Sequence, residues 1–125
     1  MSNLLEVIRS GKKIWQALED GDVGWTQKAA FRTKQSKPLM RFETFEDFDR
    51  VCFACSMGLL DIFYDTDRWV DGEQPDIDRL TSDPFRKARN KFNNVIGKEH
   101  TIISWNDRSF RKKEDVIEAF KRADL

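Results

Sequence analysis

Residues 44–64, TFEDFDRVCFACSMGLLDIFY, decide how the rest of the chain is read. Phe45, Phe48, Cys52, Cys55, Leu59 and Ile62 recur at steps of three and four residues, the spacing of a helical stripe. Val51, Phe53, Ala54, Met57, Leu60 and Phe63 widen that stripe around most of the circumference, and no charge falls between Arg50 and Asp61. A helix that is apolar nearly all round needs cover on several sides. The pattern predicts one helix over 44–64, opened by Thr44 with Asp47 in a variant of the capping box. It sits at the centre of the fold, under other elements or against a second copy of the chain.

Toward the N-terminus, Leu4, Ile8, Gly11, Trp15 and Leu18 form the stripe of an amphipathic helix over 3–19, with Gly11 placed to allow close approach of a neighbour. Gly21 and Gly24 end it. Lys34 to Pro38 is turn-like, between strand segments of roughly 26–33 and 38–43 that predict a hairpin. Toward the C-terminus, residues 65–82 are polar and acidic and read as a loop with a short turn near Ile77 to Leu80. Asp83-Pro84 then starts a helix with an acidic cap and Pro at its first position, and Gly97 ends it. His100 to Trp105 reads as a strand, returning through 108–111 after an Asn106-Asp107 turn, and Glu114 to Ala123 is the last helix. Together these predict a single α+β domain over residues 1–125. It has about four helices, a small antiparallel sheet of two to four strands, and the central buried helix 44–64.

Composition narrows the class. Of 125 residues 39% are apolar, with ten Phe and four Trp, which is enough for a core despite 35% charge. The first ten residues lack the cationic and apolar segments of a secretory signal. The longest uncharged apolar run, Val51 to Leu60, falls short of the ~20 residues of a membrane span. A cytoplasmic, soluble protein with reduced cysteines and no membrane contact is expected. Net charge is zero, yet the charges are segregated: residues 43–83 hold 3 basic and 12 acidic side chains, and residues 84–113 hold 9 basic and 2 acidic. Such blocks neutralise each other within a monomer or across a dimer, or the basic one meets phosphate.

The groups that could carry chemistry are few. Cys52 and Cys55 form a CxxC, but within the apolar stripe they read as core packing, and zinc would lack ligands beyond His100. His100 has no partner pattern for nucleophilic catalysis and reads as structural. Asp65 and Asp67 open like a calcium loop, but Trp69 and Val70 occupy the next ligand and glycine places. There is no phosphate loop, dinucleotide fingerprint, HExxH or G-x-S-x-G. No cofactor or metal is expected, and the chain reads as non-catalytic.

Three binding functions follow in order. First is a module that engages a protein partner or itself as a homodimer, through Trp69, Trp25, Asp65 and Asp67. Second is a nucleic-acid binder using Arg86, Lys87, Lys91, Arg108, Arg111 and Lys112. Third is a small-ligand binder or enzyme with an aromatic-lined pocket.

Overall fold

The apolar stretch at the centre of the sequence divides its work between a strand and a helix. The computed structural model of the chain describes residues 4–39, 50–66, 83–97 and 99–125. The described residues form α1 (Leu4–Arg9), α2 (Ile14–Asp20), β1 (Gly24–Trp25), β2 (Phe31–Arg32), β3 (Phe53–Ala54), α3 (Ser56–Tyr64), α4 (Asp83–Ile96), α5 (Ile102–Asn106) and α6 (Lys113–Arg122). The architecture is α+β, with six helices and a small sheet among the described residues.

The single helix expected over 44–64 is corrected within the described residues: Val51 to Cys55 is extended, and the helix begins at Ser56. The reason is sheet pairing. β3 is the middle strand of three, parallel to β1 and antiparallel to β2. Its flanks are bonded as well: the Gly24 amide donates to the Cys52 carbonyl at 2.8 Å, and the Cys55 amide to that of Ala30 at 2.9 Å. A strand paired on both edges reads as a continuous apolar run, which periodicity alone does not separate from a buried helix. The sheet is therefore mixed, not antiparallel. The expected start of the helix at Thr44 and Asp47 lies outside the described residues, as do most of the 38–43 strand and the 67–82 loop.

α3 takes the central place. Ser56, Gly58, Leu59, Leu60 and Ile62 are buried on it, and it packs against α2, α4, α5 and β3. Phe92 of α4 stands edge-on to Trp105 of α5, centroids 5.4 Å apart, and lies 4.5 Å from the ring of Phe120 on α6. Each such pair adds about 0.5–1.5 kcal/mol beyond the apolar area it buries.

Local chemistry sets the remaining boundaries. The helix expected over 3–19 is two helices, broken where Gly11 takes a φ of +84°. A Cβ there would meet nothing within 4 Å, so Gly11 serves a turn and not the close approach expected of it. The 33–37 turn does form: the Thr33 amide donates to the Lys37 carbonyl, and antiparallel pairing continues from Arg32 to Pro38. α4 runs from Asp83 to Ile96, so Asp83 lies in its first turn and not at the cap expected of it, and the helix ends before Gly97 as expected. The strand expected over 100–105 is instead α5. Thr101 caps it, its hydroxyl oxygen accepting from the Ser104 amide at 3.1 Å, and Ile102, Trp105 and Asn106 are buried at helical spacing while Ile103 and Ser104 face outward. The 108–111 segment is a turn closed by the Arg111 amide on the Arg108 carbonyl, not a returning strand. Among the described residues no helix is long and apolar enough to cross a membrane.

Candidate functional site

The side chain of Asn106, the last residue of α5, is fully buried where β1, α3 and α5 meet. Its oxygen accepts three donors: the Trp25 indole at 2.6 Å, the Ser56 amide at 2.9 Å and the Ser56 hydroxyl at 2.6 Å. Its nitrogen donates to the Thr26 carbonyl at 3.1 Å and to Asp107 Oδ1 at 3.0 Å. A carboxamide has two donor hydrogens and an oxygen that takes two or three donors, so this one is saturated. The Ser56 amide is an orphan donor of the first turn of α3, and a side chain from fifty residues away satisfies it.

The same neighbourhood holds the loop between β1 and β2. Gln27 Nε2 donates to the carbonyls of Asn106 and Arg108 at 2.8 and 2.7 Å. The Lys28 amide donates to Asp107 Oδ1 at 3.0 Å, with Lys28 itself in the left-handed region at φ +63°. These bonds fix the loop against the end of α5, and a hollow of about 310 Å³ lies between the loop, the start of α3 and α5. Ala29, Phe31, Met57 and Ile103 supply most of its apolar wall. Lys28, Cys55, Asp61 and Asp107 bring the polar groups.

Cys55 is the cap of α3. Its Sγ accepts from the Gly58 amide at 3.3 Å, and the residue is 7% exposed. The expectation that both cysteines lie mid-helix is corrected: they flank β3, and Cys52 is half-buried. Three extended steps separate their Cα atoms by about 10 Å, beyond the ~7 Å a disulfide spans. Burial pushes the Cys55 thiol above its ordinary value, with Asp107 adding to the effect and the Gly58 and Met57 amides opposing it. The thiol is thus protonated at neutral pH.

A second hollow, about 390 Å³, shares Met57 with the first as a lining residue. Arg89 and Asn93 of α4, His100 and Thr101 face it. The Arg108 guanidinium approaches both ring nitrogens of His100, 2.9 Å from Nδ1 and 3.5 Å from Nε2.

The residues singled out by sequence are placed as follows, where they are described. Trp25 is half-buried and bonded to Asn106; Asp65 follows α3, half-buried, its amide donating to the Asp61 carbonyl. Trp69 and Asp67 lie outside the described residues. Of the basic set, Lys87, Lys91, Arg108 and Lys112 are exposed, and so is Arg86, paired with Asp83 on its own helix. Arg111 lies 4.0 Å over the Trp105 ring with Nε donating to the Trp105 carbonyl at 3.0 Å. Among the described residues no group of three or more His, Cys, Asp and Glu is arranged to hold a metal ion. Asn106 was the residue sequence reasoning missed. Its position, four after Ile102 and one after Trp105, is the signal that would have placed it on the inner face of a helix.

No curated protein and no solved structure matches the chain. The model of one family, described as a family of unknown function (DUF6197), matches residues 18–124. That span is most of the 125 residues, and the chain belongs to this family.

Proposed function

We propose that the protein binds a small, largely apolar molecule in the hollow between the 28–31 loop, the start of α3 and α5. One observation carries this: an apolar concavity of about 310 Å³ with a thiol, two carboxylates and one amine at its wall. Ligand sites have this make-up, an apolar lining with a few polar groups that fix orientation. The walls are held by a saturated hydrogen-bond centre at Asn106, which favours a preformed site. The Cys55 thiol, protonated and serving as a helix cap, supports binding over nucleophilic chemistry at that sulfur.

The test is amide chemical-shift mapping with 4-phenylbutan-1-ol, a neutral aryl alcohol. Shifts confined to Ala29, Met57, Gly58 and Ile103, abolished by Ala29→Trp, are the expected result. No shift at these amides, or shifts unaffected by the plug, would reject the site.

A protein partner is the second reading, and Ile103 and Phe110 favour it: they are 57% and 63% exposed, in α5 and just after it. Ile103→Asp should then weaken self-association or capture by a partner without lowering stability. The nucleic-acid reading is weaker, since Arg111 is held by Trp105 and Arg86 by Asp83.

A further inference from the structure

The two hollows differ in charge, and Met57 alone lines both. Resting on the reading of the first hollow as a ligand site, we propose that the ligand is an amphipathic carboxylate. Its apolar body lies in the first hollow beside Met57 and Ile103, and its carboxylate reaches past Met57 to Arg89.

The orientation follows from where the acids are. The first hollow is lined by two acidic residues, Asp61 and Asp107, beside Lys28, and so suits an anionic group less well than the second. The second hollow is lined by no carboxylate at all among the described residues, and it carries the Arg89 guanidinium. Arg89 lies 5.7 Å from the Phe85 ring of its own helix, and among the described residues no Asp or Glu forms an ion pair with it. A guanidinium presents a planar fork that fits a carboxylate with two parallel hydrogen bonds.

The neighbours add donors. Thr101 Oγ already accepts from the Ser104 amide, so its hydroxyl hydrogen is the part left to give. The His100 ring, held by Arg108, lines the same wall. Asn93 contributes an amide to the same wall. The residue common to both linings, Met57, has a thioether side chain with three rotatable bonds, the kind that repacks around a guest.

The experiment is calorimetric titration of 4-phenylbutyrate and of 4-phenylbutan-1-ol into the wild-type chain, Arg89→Gln, Arg89→Lys and Asn93→Asp. The acid should bind the wild type at least tenfold more tightly than the alcohol. Arg89→Gln should abolish that preference while leaving the alcohol unchanged, Arg89→Lys should retain part of it, and Asn93→Asp should reverse it. Equal binding of acid and alcohol by the wild type, or acid binding that Arg89→Gln and Asn93→Asp leave untouched, overturns the assignment while the first hollow stands as a site. Failure of both compounds to bind overturns the assignment and the ligand reading together.

Discussion

The Trp25 indole reaches the side-chain oxygen of Asn106 at 2.6 Å across 81 residues of sequence, and that oxygen also holds the first amide of α3. A strand end, a helix start and a helix end therefore share one acceptor. Asn106→Ala strips all three donors of their partner in a buried setting, and each buried group left unsatisfied costs about 1–3 kcal/mol. Urea unfolding should show a loss of about 3 kcal/mol or more. Trp25→Phe removes a single donor and leaves Ser56 bonded, so it should cost about 1 kcal/mol. The double variant should fall well short of the sum, because both changes act on one network.

The cysteines should differ in reactivity. Alkylation with iodoacetamide at pH 8, read by peptide mass, should label half-buried Cys52 well before Cys55. The folded-state pKa of Cys55 lies above the ordinary 9.0, so its contribution to stability is fully present below that value and is lost as pH rises through the folded one. Stability above pH 9 should therefore fall less steeply in Cys55→Ser than in the wild type. The serine keeps an oxygen for the Gly58 amide and has no thiol to ionise.

At the other end of the pH scale, Lys13 pairs with Asp124 and holds that carboxyl below its ordinary 3.8, first through the hydrogen bond and then through charge. A lowered carboxyl pKa gives stability that is present above the unfolded value and lost as pH falls through the folded one. Asp124→Asn should flatten the acid limb of the stability curve. Asparagine also accepts the left-handed backbone of position 124, where φ is +58°, so the change is read as charge and not as strain.

Two glycines should respond to alanine for different reasons. At Gly58 a Cβ would sit 2.6 Å from the Ala30 carbonyl oxygen and 3.0 Å from a Phe31 ring carbon. Gly58→Ala must push the 30–31 loop from α3, at about 1–3 kcal/mol, and should also weaken binding of any guest in the adjoining hollow. Gly11→Ala meets open space and should cost only the left-handed strain, about 1–2 kcal/mol. Thermal melts of the two variants, with and without 4-phenylbutan-1-ol, separate these effects.

Arg111 should behave as a packing residue. Its guanidinium covers Trp105, and Arg111→Ala should lower stability by about 1–2 kcal/mol and shift Trp emission to the red. Arg111→Lys keeps the charge but loses the planar stack and the Nε donor to the Trp105 carbonyl, so it should recover less than half of the loss.

What could be read beforehand was whatever local chemistry dictates. Asp83, Pro84 and Gly97 mark both ends of α4, and the 33–37 turn needs only its own residues. What could not be read depends on distant partners. Val51 to Cys55 are extended because residues 24–25 and 31–32 bond to them, and nothing within the apolar run announces that pairing. Ile102-Ile103 suggested a strand because β-branched residues favour one, and the Thr101 cap that overrides them was read as part of that strand. The hollow lies between segments joined by bonds across about eighty positions, which spacing arguments do not reach.

The order of the sheet bears on how the chain comes to fold. β3, the strand bonded to both others, is the last of the three in the sequence. On a ribosome, Phe31–Arg32 can pair locally with Pro38, but Gly24–Trp25 has its sheet partner only once Phe53–Ala54 follows. The first 52 residues therefore cannot form this three-stranded sheet, because neither outer strand is bonded to the other and both depend on Phe53–Ala54.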